Sequence, residues 1–225
     1  MAKGFFIDLT RCTACRGCQV ACKQWHDLPA EQTKNWGSHQ NPADTSAVTY
    51  KLVRMKEVVD NGNLAWLFFP DQCRHCKIPS CMGAADLDDS IILDEATGAV
   101  IFTEKTKEED FEYIRESCPY NIPRKNPDTG VITKCDMCLD RVQNGLLPAC
   151  VATCPTGAMN FGEWEDMRAL ADQRLGEVKA KYPKAVLADA EDLTVIYLME
   201  TDPALYHEYA VATRLVTAAD LAELD

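Results

Sequence analysis

Twelve cysteines in 225 residues stand at spacings that select one kind of chemistry. Cys12, Cys15, Cys18 and Cys22 form a C-x2-C-x2-C-x3-C run. Three thiolates so spaced can close on one iron–sulfur cube, while the fourth of such a run reaches a different cluster. The remaining eight are Cys73, Cys76, Cys81, Cys118, Cys135, Cys138, Cys150 and Cys154. Pro119 and Pro155 follow Cys118 and Cys154, matching the C-P ending of an iron–sulfur run. The spacing argues for 4Fe–4S clusters, and so for electron transfer.

Two other uses of cysteine compete. Disulfide frameworks belong to short secreted domains. This chain is long, and a C-x2-C pair makes a poor structural bridge. Three structural zinc sites would also consume twelve thiolates. Zinc sites, however, usually join two C-x2-C units far apart, whereas the Cys12, Cys15, Cys18 triplet wraps one cube and leaves its last corner to a distant cysteine. A zinc-stabilised binding module stays open as the alternative that metal content would separate. Of the four histidines (His26, His39, His75 and His207), only His75 stands between cysteines, and it reads as a loop residue rather than an iron ligand.

Composition bounds the rest. The chain is 47% hydrophobic and 26% charged, ordinary for a globular protein able to bury a core. No apolar run approaches the roughly 20 residues of a membrane span. The N-terminus, MAKGFF, shows no charged region followed by an apolar one, so no signal peptide is evident. A net charge of −12 without a basic stretch argues against nucleic acid. Residues 161–225 hold 6 Lys and Arg against 14 Asp and Glu. Near the cysteines stand Arg11, Arg16, Lys23, Arg74, Lys77, Lys134 and Arg141, expected either to offset cluster charge or to be solvated surface. There is no nucleophile–base pair, phosphate loop or dinucleotide fingerprint, so no catalytic residue is nominated.

The cysteines form four motifs. The first is the complete run, Cys12 to Cys22. The second is Cys73, Cys76 and Cys81, with Ala85 at its fourth position. The third keeps only Cys118, and the spacing of the first motif places Glu108, Phe111 and Ile114 at its other positions. The fourth is Cys135, Cys138, Cys150 and Cys154.

This arrangement resembles the four-cluster ferredoxin-like subunits that serve molybdenum and tungsten oxidoreductases. The resemblance covers about residues 4–160. It implies that motifs exchange their last cysteines. Cys12, Cys15, Cys18 and Cys154 would then hold cluster A. Cys135, Cys138, Cys150 and Cys22 would hold cluster B, and Cys73, Cys76, Cys81 and Cys118 cluster C. A fourth cluster would need Ala85, Glu108, Phe111 and Ile114. All four losses fall on one cluster and orphan no ligand, which implies three.

Within that family the opening from Ile7 to Trp25, IDLTRCTACRGCQVACKQW, looks most like the β (iron–sulfur) subunit of formate dehydrogenases. Three clusters and no membrane anchor are similar to the soluble two-subunit type of sulfate-reducing bacteria. The resemblance implies a large partner that oxidises formate at pterin-bound tungsten or molybdenum, and export with that partner to the periplasm (the alternative is the cytoplasm). A c-type cytochrome acceptor, basic against this acidic chain, is expected. The alternatives are the β subunit of a thiosulfate, polysulfide or dimethyl sulfoxide reductase and a free polyferredoxin.

The expected fold is α+β, a tandem of ferredoxin-like subdomains with β-hairpin insertions. Residues 1–34 with 131–160 would hold two clusters, and 71–130 one. Residues 35–70 would insert a hairpin, and 161–225 form an acidic, partly helical extension. Gly17, Gly83 and Gly157 are expected to relax the cluster loops. Hairpins are expected across Asn61-Gly62 (Tyr50 to Val59 with Leu64 to Phe69) and across Thr97-Gly98 (Ile91 to Leu93 with Ala99 to Phe102). Helices are expected over Lys105 to Ser117, Trp164 to Lys181 and Ala204 to Leu215, a strand over Thr194 to Met199, and a loop over 121–134.

Overall fold

The computed structural model describes residues 2–60 and 62–212. Strand β1 (Lys3–Asp8) passes through a short 3-10 turn into the first cysteine loop and helix α1 (Gly17–Trp25). A long segment leads to the hairpin β2 (Leu52–Asp60) and β3 (Asn63–Asp71). Then come α2 (Ser80–Gly83), the hairpin β4 (Ile91–Asp94) and β5 (Ala99–Phe102), and α3 (Phe111–Ser117). A small hairpin, β6 (Arg124–Lys125) and β7 (Ile132–Thr133), precedes α4 (Leu139–Gln143) and α5 (Ala149–Ala152). The chain continues as β8 (Met159–Glu163), α6 (Trp164–Lys179), β9 (Val186–Ala188) and β10 (Val195–Met199). Among the described residues no helix is long and apolar enough to cross a membrane.

The central sheet runs β8-β1-β10-β9. β1 lies parallel to β10, with Phe5 opposite Val195, and antiparallel to β8, with Phe5 opposite Phe161. The acidic C-terminal stretch thus supplies half of the sheet that the N-terminus begins. β10 reads VIYLM and is buried throughout, the continuous apolar run of a strand covered on both faces. Side chains alternate along a strand. Phe6, Ile196 and Leu198 face α6, which meets them with a helical stripe of Leu170, Ala171, Leu175 and Val178. Phe5, Ile7, Val195 and Tyr197 face the other way, toward Cys18, Met137, Cys150 and Phe69. The sheet therefore backs the cysteine loops, and α6 covers its far side.

Both expected hairpins form. Asp60 pairs with Asn63 across a two-residue turn; Asn61 lies outside the described residues, and Gly62 has φ +80°, the left-handed conformation such a turn demands. Asp94 pairs with Ala99, and Gly98 has φ +76°.

Four local expectations need correction. The stretch 105–117 is not one helix. Thr103 caps a 3-10 turn over Glu104–Glu108, and Asp110 starts α3 afresh by accepting the Glu112 and Tyr113 amides at 3.0 and 3.2 Å. Side-chain caps fix a helix start more firmly than composition does. The 121–134 loop contains the β6–β7 hairpin; Asn126, Pro127 and Gly130 mark its tip, where Gly130 (φ +76°) donates to the Asn126 carbonyl at 2.8 Å, and Asn121 and Pro123 precede it. Among the described residues of 204–215, which end at 212, only the 3-10 turn at Pro203–Leu205 is helical, capped by Asp202, and Tyr206 and Ala210 are buried in the turns that follow. Residues 213–215 lie outside the described residues. Of the three glycines expected to relax the cysteine loops, only Gly157 adopts positive φ, +65°. Gly17 and Gly83 are helical. The left-handed positions fall instead on Ala14, Arg16, His75, Met137 and Cys138.

Candidate metal centres

The first group forms where the loop after β1 meets the end of α5. Asp8 caps the turn by accepting the Thr10 amide at 3.0 Å, and the Cys12 amide closes it on the Leu9 carbonyl at 3.1 Å. Left-handed Ala14 and Arg16 then bend the chain so that Cys12, Cys15 and Cys18 line one small cavity, with Cys154 on its other side. Burial pushes the Cys12 thiol up to about 11, eased by the Ala14 amide and raised further by Cys18 and Cys154. Burial also acts to raise Cys154, but the Met159 amide and the Thr156 hydroxyl outweigh it and hold that thiol low. Cys15 is exposed, and Cys12 and Cys154 are half-buried, so this group reaches the surface.

The second group is interior. Left-handed Met137 and Cys138 lead into α4, and Cys150 rides on α5, which lies against α1. Cys18 and Cys22 are one turn apart on α1, and α5 brings Cys150 near both. Burial pushes Cys150 up to about 12; Lys51 opposes this, and Cys22 and Cys138 add to it. Cys135 is raised by burial first, then by Cys22.

The third group gathers where β3, α2 and α3 converge. Cys73 follows β3 closely, and its sulfur lies 3.4 Å from the His75 amide. Cys81 rides on α2, which packs on α3, and Cys118 caps the end of α3. Burial pushes Cys81 up to about 12, with Cys118 and Cys73 contributing. The Cys118 thiol accepts the Ile122 and Tyr120 amides, which partly offset its burial.

The structure thus lines one cavity with Cys12, Cys15, Cys18 and Cys154, sets Cys22, Cys138 and Cys18 near Cys150, sets Cys22, Cys73 and Cys150 near Cys135, and sets Cys73, Cys81 and Cys118 near Cys76. The donor chemistry suits 4Fe–4S clusters: clustered thiols with backbone N–H groups aimed at sulfur and buried cations nearby. Burial raises several of these thiols, so a cluster bound there would have to displace their protons.

The positions of the missing fourth group are filled differently. Ile114 is fully buried and packs with Phe111, Ala85 and Cys81, while Glu108 is exposed. Beside it, the buried Glu109 accepts the Asp86 and Leu87 amides at 3.0 and 2.9 Å and the Ser90 hydroxyl at 2.6 Å. Burial would raise its carboxyl, but Ser90 and those two amides hold it low. Glu109→Ala would strand two amides and a hydroxyl. We expect a loss of about 1–3 kcal/mol, read as a lower denaturant midpoint.

Of the seven nominated basic residues only Arg74 and Lys134 are buried. Arg16, Lys23, Lys77 and Arg141 donate to backbone carbonyls, and Arg11 lies 3.6 Å from Asp8. His75 is buried and accepts the Val100 amide at Nδ1, 3.0 Å, so it is not free to ligate through that nitrogen. Two features carried no sequence signal. Lys51 lies fully buried ahead of β2. His26 reaches Asp136 at 3.0 Å and, with it and Cys138, forms a further set of ligating side chains that overlaps the second group.

Residues 64–164 match the 4Fe-4S dicluster domain family. The chain is 59% identical to the formate dehydrogenase subunit beta of Megalodesulfovibrio gigas, over 94% of this chain and 100% of the relative. It is 54% identical to the formate dehydrogenase 2 subunit beta (cytochrome c-553) of Nitratidesulfovibrio vulgaris, over 93% and 99%. It is 40% identical to the formate dehydrogenase-O iron-sulfur subunit of Escherichia coli, over 89% and 68%. With clustered thiols of the right chemistry and relatives matched along nearly their whole length, the chain belongs to the family of formate dehydrogenase β, or iron–sulfur, subunits.

Proposed function

We propose that this chain carries electrons through three 4Fe–4S clusters, from the pterin-bound tungsten or molybdenum of a large formate-oxidising subunit to an external acceptor. The observation that supports this most is the grouping of thiols. Each group takes three cysteines from one region and its last from a distant one. Cys154 joins Cys12, Cys15 and Cys18 (cluster A). Cys22 joins Cys135, Cys138 and Cys150 (cluster B), and Cys118 joins Cys73, Cys76 and Cys81 (cluster C). A 4Fe–4S cluster takes up and releases one electron at a time. The chain's own part is to hold the clusters, keep water from the interior ones and set their potentials through nearby charges. Residues 1–34 and 131–160 form the two-cluster subdomain in this reading, and 71–130 the one-cluster subdomain. The complex works in the periplasm, exported with the large subunit, and a basic c-type cytochrome suits the acidic surface as acceptor.

The test is iron and acid-labile sulfide per chain in the complex purified without oxygen, corrected for the large subunit. We expect about twelve of each, four per cluster. About sixteen would mean that a fourth site is filled, and zinc without sulfide would overturn the electron-transfer reading.

A further inference from the structure

Lys51 and Lys134 are buried to 2% and 6% exposure, and neither pairs with a carboxylate oxygen among the described residues. The Lys51 ammonium donates to the Gln72 side-chain oxygen and lies 3.4 Å from the Pro70 carbonyl. The Lys134 ammonium donates to the Val100 carbonyl and, at 3.0 Å, to the Cys135 carbonyl, and sits 4.8 Å from the Phe102 ring centre. A buried cation with only neutral oxygens around it is unfavourable unless a negative charge lies nearby. Pro70, whose carbonyl lies beside Lys51, also lines the cavity of Cys12, Cys15, Cys18 and Cys154. Cys150, Cys18 and Cys135, with the Tyr197 phenol, act on the ammonium, and as ligands of clusters A and B those sulfurs would supply its negative charge. Lys134 donates to the Cys135 carbonyl and to the carbonyl of Val100, whose amide donates to His75 between Cys73 and Cys76. Cys73 and Cys81, then Cys135 and the Asp136 carboxylate, act on the ammonium, and as ligands of clusters C and B those sulfurs would supply its negative charge. Arg74, the third deeply buried cation, is different, because Asp71 lies 2.8 Å away and compensates it.

We propose that Lys51 and Lys134 are positioning cations of the electron path, Lys51 lodged between clusters A and B and Lys134 between clusters B and C. This rests on the three-cluster reading. An electron leaving one cluster oxidises it and reduces its neighbour, moving one negative charge past the lysine between them. A fixed positive charge shared by both ends lowers the cost of reducing either. It raises both potentials together, so neither cluster becomes a sink. No proton moves, and both lysines remain charged throughout.

The test is a redox titration of the anaerobic two-subunit enzyme, followed by electron paramagnetic resonance. Lys51→Met should lower two cluster potentials and leave the third. Each should shift by about a tenfold change in oxidised-to-reduced ratio, ~59 mV for a one-electron couple. Lys134→Met should also lower two, sharing one, cluster B, with Lys51→Met. Lys51→Arg should keep the native potentials, as should Lys77→Met, which removes an exposed lysine near the ligands. The proposal is overturned if the Met variants leave all potentials in place, if either moves all three alike, or if Lys51→Arg shifts them as far as Lys51→Met. Should Lys51→Met lose iron, full iron in Lys51→Arg supports the charge role, and equal loss in both overturns it. The iron and sulfide content of the unaltered enzyme tests the three-cluster reading separately.

Discussion

Cys118→Ala is expected to destroy the same cluster as Cys76→Ala, although 42 residues separate the two positions. α3 ends at Cys118 and packs on α2, which carries Cys81, so the distant thiol arrives as the last corner of the third group. The thiols of Cys76, Cys81 and Cys118 each feel one another or Cys73, and Cys73 also acts on Cys135. Each single variant should lose the paramagnetic signal of one cluster and up to about four iron and four sulfide per chain. The double variant should lose no more, because ligands to one cluster act as a unit and their removals do not add. Cys118→Ala combined with Cys154→Ala should lose two clusters, since Cys154 closes the group at the surface. If Cys118→Ala and Cys76→Ala abolish different signals, or their double variant loses twice the iron, the exchanged-cysteine pairing is wrong.

The iron–sulfur character of the cysteine motifs was legible because short spacings leave little freedom: three thiols of a C-x2-C-x2-C run can close on one cluster, whatever surrounds it. The β2–β3 and β4–β5 hairpins, α6 and β10 were legible for a similar reason, since alternation, turn residues and helical stripes are local signals. What the sequence hid was set by distant partners. Nothing in VIYLM says that it lies beside β1, nor in YKLV that Lys51 ends up buried without a carboxylate partner. Helix boundaries failed at Asp110 and Pro203, where single side chains overrode composition. The loop glycines failed because backbone packed around a cluster site can force Ala, Arg, His, Met or Cys into left-handed conformation, a strain that sequence alone does not display.

Beside the third group, breaking the Asp71–Arg74 pair should be the most costly single change outside the ligands. Asp71 is fully buried, 2.8 Å from Arg74 and 2.6 Å from Arg54. The Arg74 guanidinium lies 5.0, 4.9 and 4.7 Å from the ring centres of Phe69, Tyr120 and Tyr197. Burial would raise the Asp71 carboxyl, but Arg74, then His207 and Arg54, hold it well below the usual carboxylate range. Asp71→Asn leaves the Arg74 charge buried among aromatic rings without its carboxylate partner, and Arg74→Met leaves Asp71 only its ion pair with Arg54. Each should cost about 3–5 kcal/mol, seen as earlier loss of cluster absorbance on anaerobic heating. Asp71→Leu with Arg74→Met should recover most of that loss, because an apolar pair removes both desolvation penalties. The pH dependence follows from the sign of the shift. A carboxyl whose folded pKa lies below its unfolded value, about 3.9, stabilises the fold fully above that value and less as pH falls below it. The gap between the unaltered protein and Asp71→Asn should therefore stay constant from about pH 6 to 8 and narrow only below about pH 4. A gap that closed near neutrality would mean that Asp71 is not held ionised by Arg74.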